Sequence, residues 1–133
     1  ITLKEVFMKF ETSKPIYIQI LDIMFELVLS KVWKENERIP SIRDLATSLE
    51  VNPNTVARAY KEFEDRQIIQ NQRGVGYFLK SGGYEKALNL KKEEFIKDQI
   101  PLIAKSLNIL QIPISEFYIT LKKTMENSFQ DEK

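Results

Sequence analysis

No glycine occurs before Gly74, and all four glycines (Gly74, Gly76, Gly82 and Gly83) lie late in the chain. Glycine is the usual residue wherever backbone must adopt positive φ. A long segment without it favours helices joined by turns built from Pro, Asn and Ser. The apolar spacing agrees. Ile16, Ile20, Ile23 and Leu27 recur at helical period from Pro15 to about Lys31, with Tyr17, Leu21, Met24 and Val28 beside them. This broad apolar face predicts a central core helix. Lys34–Pro40 is polar and reads as a loop. Ser41–Leu49 reads as a short helix capped by Ser41, with Ile42, Leu45, Ala46 and Leu49 inward. Glu50, Val51 and Asn52 form a tight turn. Asn52 caps the next helix, Pro53 suits its first position, and Val56, Ala59, Tyr60 and Phe63 face inward as far as Arg66.

The glycines punctuate the second half of the chain. Ile68–Asn71 and Tyr77–Lys80 read as two short strands around a tip, Gln72–Gly76, that carries Arg73. Ser81-Gly82-Gly83 predicts a domain boundary: residues 1–81 as one domain, residues 82–133 as a helical region. Beyond it Phe95, Ile96, Ile100, Ile103, Leu107 and Leu110 have helical spacing, interrupted by Pro101. Pro113 opens a last helix with Phe117, Leu121 and Met125 on one face. Two helices of this size cannot bury such faces alone, so they are expected to dock on the first domain, on a second subunit, or on both. The dimer reading leads. The same residues lining an effector pocket is the rival.

Composition narrows the chemistry. The 133 residues include no Cys and no His, which excludes disulfides, thiolate nucleophiles, Cys- or His-ligated zinc and histidine acid–base catalysis. No motif gathers the Lys, Tyr or carboxylate groups that an enzyme would still need, and no cofactor or metal is expected. No apolar run approaches a membrane span: Ile16–Val32 is broken by Gln19, Asp22 and Glu26. A cytoplasmic protein is the expectation. The net charge of +1 does not announce nucleic acid, and from Arg38 to Lys80 seven basic residues meet five acidic ones. Local placement has to decide.

Two helices joined by a three-residue turn and followed by a basic-tipped hairpin describe a winged helix-turn-helix, in a mainly α fold. The outward N-terminal turn of the second helix presents Asn52, Asn54 and Thr55, short hydrogen-bonding side chains at a helix end that favours phosphate. The runs KPIYIQILDIM, RIPSIRDLATSLEVNPNTVARAYKEFEDRQII and QNQRGVGYFL, together spanning Lys14 to Lys80, resemble the GntR family of bacterial transcription regulators. The short helical C-terminus resembles its YtrA-like subfamily.

The resemblance implies DNA contacts by position. Arg43 matches a base-contacting arginine, and Asn52, Asn54 and Thr55 match the contact run of the recognition helix. Ser41 and Arg58 are candidate phosphate contacts. Arg73 and Gly74 match a minor-groove insertion. Each has a plainer reading: Arg43 pairing with Asp44 or Glu50, Asn52 as a cap only, Arg58 on a solvated face, Arg73-Gly74 as a turn only. The resemblance implies a homodimeric regulator of a palindromic operator, with a repressor as the leading expectation. A protein-interaction module without DNA binding is the alternative. The chain departs from the family in carrying Glu50 and Gln67 where glycine is usual.

Overall fold

The computed structural model describes residues 14–131. Helix α1 (Ile16–Leu29) follows Pro15 and buries two adjacent rows, including Ile20, Ile23, Met24, Leu27 and Val28. Helix α2 (Ile42–Leu49) starts at Ser41, whose Oγ accepts the Asp44 N–H at 3.0 Å. Helix α3 (Pro53–Asp65) starts at Asn52. Leu45, Ala46 and Leu49 of α2 join Val56, Ala59, Tyr60 and Phe63 of α3 in a shared core with α1. Phe25 of α1 and Phe63 of α3 meet edge to face with centroids 4.8 Å apart. Burying each such side chain contributes about 1.5–3 kcal/mol.

The hairpin comprises β1 (Ile69–Gln72) and β2 (Gly76–Leu79), antiparallel, with Ile69 opposite Leu79 and Gln72 opposite Gly76. Both strands are displaced by one residue from the ranges expected. The Ile68 N–H bonds the Phe63 carbonyl at 2.9 Å and so closes the end of α3 instead of entering the ladder. The expected loop Lys34–Pro40 is partly ordered against β2. Glu35 pairs beside Leu79 and Arg38 beside Phe78, and the Ile39 N–H bonds the Tyr77 carbonyl at 2.9 Å. Its polar sequence shows no alternation. Buried Trp33 and Ile39 pin its two ends to the core.

Helix α4 (Gly83–Glu94) buries Gly83 and Ala87. A Cβ on Gly83 would lie 2.5 Å from the Ile68 carbonyl oxygen and 3.0 Å from Leu79 Cδ1. Gly83 therefore permits close packing at the base of the hairpin, while Gly82 supplies the positive φ of +81° before it. By compactness the first unit extends to Leu90 and the second begins at Lys91, whereas the glycines predict a boundary at residue 82.

The second unit contains a π turn (Phe95–Gln99), α5 (Ile100–Ile109) and α6 (Ile114–Asp131). The disruption expected at Pro101 takes the form of that π turn, in which the Ile100 N–H reaches back to the Phe95 carbonyl. Proline lacks an N–H and crowds the carbonyl four residues earlier, and a wider turn relieves both. Phe95, Ile96, Ile100, Leu121 and Met125 are exposed, while Ile103, Leu107 and Phe117 are half-buried.

Glu50 has left-handed backbone, φ 56° and ψ 45°, and Gln67 has φ 63°. Glu50→Gly should raise unfolding free energy by about 1 kcal/mol in urea titrations. Gln67→Gly should gain less, because Gln67 Oε1 accepts from Lys80 Nζ at 2.5 Å. Gly83→Ala should destabilise by about 1–3 kcal/mol through overpacking.

Candidate nucleic-acid interface

The exposed start of α3 is built by its cap. Asn52 Oδ1 accepts the Asn54 N–H at 2.8 Å, so capping is real, and the Asn52 side-chain NH₂ stays available as a donor. Asn52 and Asn54 are exposed and Thr55 is half-buried, while Val56, Ala59 and Tyr60 turn into the core. The helix N-terminus adds partial positive charge and unsatisfied N–H groups. Ser41 caps α2 through an oxygen lone pair, which leaves its hydroxyl proton free to donate. Arg43 is exposed, and among the described residues it forms no ion pair with Asp44, Glu50 or any other carboxylate. The turn that sets α2 against α3 is closed by the Val51 N–H on the Ala46 carbonyl at 3.0 Å.

At the hairpin tip the Val75 N–H bonds the Gln72 carbonyl at 2.9 Å, and Gly74 adopts φ +80°. Arg73 and Gly74 are exposed, and Arg73 has no ion pair among the described residues. Arg38 escapes a reading of the sequence alone, because it lies in a segment with the character of a loop. Its backbone pairs with Phe78, and its side chain crosses the hairpin where Gly76 has no Cβ: an added Cβ would stand 2.8 Å from Arg38 Nε. A third exposed arginine thus belongs to the hairpin.

Arg58 departs from a free, solvated position. Its guanidinium lies over the Tyr17 ring of α1, 4.0 Å from the centroid. The Tyr17 hydroxyl donates to Glu62 Oε1 at 2.5 Å, and Glu62 Oε2 stands 3.9 Å from Arg66 Nε. The hydrogen bond to Glu62, then burial, then the Glu62 charge raise the Tyr17 pKa above its ordinary value. Local sequence carries no sign of this grouping, since Tyr17 and Arg58 lie on different helices. Lys61, on the same face as Arg58, pairs with Asp65 at 3.9 Å on the exposed surface.

Tyr60 fastens α3 to the other elements. It is fully buried, and its hydroxyl donates to the Pro40 carbonyl at 2.6 Å. Its ring meets Tyr77 of β2 edge to face at 4.9 Å and Trp33 at 6.4 Å. Burial pushes its pKa well above the ordinary phenol value, with the neighbouring Tyr77 and Asp44 charges adding to the shift. Tyr60→Phe keeps the ring but removes the Pro40 carbonyl's donor, so it should cost about 1–3 kcal/mol by chemical denaturation. Gly76→Ala should displace Arg38, read as changed Arg38 side-chain NMR resonances with the hairpin's backbone pattern retained.

Comparison with known proteins assigns this arrangement. Residues 16–79 match the family described as bacterial regulatory proteins, gntR family. The chain is 35% identical over 112 residues to the HTH-type transcriptional repressor YtrA of Bacillus subtilis (strain 168), covering 84% of this chain and 85% of that protein. Among solved structures, a GntR family transcriptional regulator from Listeria monocytogenes superposes with TM-score 0.70 at 31% identity, covering 86% of this chain and 98% of that one. YtrA from Sulfolobus acidocaldarius, a GntR-family transcription factor, superposes with TM-score 0.51 at 27% identity, covering 90% of this chain and 95% of that one. With its capped recognition helix and arginine-bearing wing, the chain belongs to the GntR family, as a YtrA-like helix-turn-helix DNA-binding transcription regulator and not an enzyme.

Proposed function

We propose that the protein is a homodimeric repressor that reads a palindromic operator. The observation that carries the DNA-contact assignment is that Arg43 and Arg73, both in the first unit, are exposed and form no ion pair among the described residues. On this reading Arg43 contacts a guanine edge, since arginine is the common bidentate partner of guanine in the major groove. Asn52, Asn54 and Thr55 reach base edges or phosphates from the start of α3. Ser41 and Arg58 hold phosphates. Arg73 and Gly74 enter the minor groove, where a glycine lets backbone approach the sugar edges.

The dimer reading rests on the second unit, where the described part of α5 and the π turn contain no buried side chain. Faces carrying Phe95, Ile96, Ile100, Leu121 and Met125 need apolar cover, and a second copy presents matching faces by symmetry. Ile103, Leu107 and Phe117 belong to the same set. Two recognition helices would then enter successive major grooves about 34 Å apart. Similarity to a transcriptional repressor supports the sign of regulation. No helix among the described residues is long and apolar enough to cross a membrane, in keeping with a cytoplasmic regulator.

Arg43→Ala should cost about 1–3 kcal/mol of binding to a duplex selected by the wild type from a random pool, and relax preference at one base position. Unchanged affinity and preference would remove Arg43 from its assigned role. Ile100→Glu with Leu121→Glu should convert a dimer to a monomer in light scattering. A wild type that is already monomeric at micromolar concentration would rule out the dimer.

A further inference from the structure

We propose that Tyr17 is a positioning residue for DNA binding, its ring holding the Arg58 guanidinium ready for a phosphate. This rests on the reading that α3 faces DNA. Arg58 and Glu62 are four residues apart on α3, a separation at which an arginine and a glutamate can pair. No such pair is present among the described residues. Glu62 instead takes the Tyr17 hydroxyl at 2.5 Å and stands 3.9 Å from Arg66. Arg58 lies over the same ring at 4.0 Å.

Tyr17 therefore acts twice. Its hydroxyl occupies the carboxylate that would otherwise neutralise Arg58, and its ring gives the guanidinium a seat. No hydrogen bond or ion pair among the described residues engages the Arg58 N–H groups, and such donors bind phosphate. Lys61 is paired with Asp65 and Arg66 with Glu62, so Arg58 is the cation of this α3 face that has no carboxylate partner among the described residues. Ordering a long side chain before DNA arrives lowers the entropic cost of the contact.

The test measures affinity against salt concentration for a duplex that the wild type selects from a random pool. Arg58→Gln should weaken binding across sequences and lower the log–log salt slope by about one. Tyr17→Leu, or Tyr17→Gln if the leucine variant does not fold, should weaken binding several-fold in the presence of Arg58. Neither should have further effect once Arg58 is Gln. Tyr17→Phe combined with Glu62→Gln keeps the ring and removes the competing carboxylate, and should bind as the wild type does. In the free protein, Arg58 side-chain protons should show a ring-current shift that Tyr17→Leu abolishes. Equal losses from Tyr17→Leu with and without Arg58 would overturn the proposal, as would an Arg58→Gln variant of unchanged affinity and slope. Either result leaves the broader reading standing if Arg43→Ala still loses binding in the same assay. A wild type that selects no duplex would overturn both.

Discussion

The arrangement of the first unit depends on one buried phenol. Tyr60 sits in the recognition helix, and its hydroxyl has a fixed acceptor in the Pro40 carbonyl at 2.6 Å. A buried hydroxyl without a partner is costly, so that bond fixes the segment leading into α2 as firmly as packing does. The same ring meets Tyr77 on β2 and Trp33 just beyond the end of α1. One side chain thus ties the recognition helix to the wing and to the approach to α2. The elements that carry Arg43, Asn52 and Arg73 then form a preorganised surface, and little ordering is left for binding to impose.

Electrostatics follows from where the acids are engaged. A net charge of +1 leaves almost no surplus of positive charge. Asp65 is beside Lys61, Glu62 takes Tyr17 and Arg66, and Glu35 Oε1 accepts the Gly82 and Tyr84 N–H groups at 3.0 and 3.3 Å. Those acids serve helix ends and helix faces. Arg38, Arg43 and Arg73 keep their charge exposed and unpaired among the described residues. Local separation of charge, and not its sum, makes the surface suited to a polyanion.

The second unit has a different physical basis. Its helices form with good local hydrogen bonding, including the π turn that accommodates Pro101, yet they leave large apolar side chains exposed. Helix formation alone supplies little stability in water, and most of it comes from burying an apolar face. The proposed second copy would provide that burial and would also set the spacing of two recognition helices, so the same contact would support both stability and operator length.

The helices, the turn between α2 and α3 and the hairpin were legible in the sequence, because caps, helical periodicity and clustered glycines are local signals. Ser41 and Asn52 cap as expected, and Glu50 adopts the left-handed backbone that its glycine-favouring position requires. The placement of Asn52, Asn54 and Thr55 at the start of α3 was legible for the same reason. Long-range partners decided the rest. The start of β1 shifted by one residue because the Ile68 N–H closes α3, and the polar segment 34–40 became part of the wing because Trp33 and Ile39 bury beside it. Ala87, beyond the glycine pair, is buried in the core of the first unit. The seating of Arg58 on Tyr17 and of Arg38 over Gly76 joins residues far apart in the chain. Which segments form helices and strands could be read from residue order, since those depend on neighbours a few residues away. Which charges remain free could not, since a charge is freed or engaged by groups that folding alone brings near.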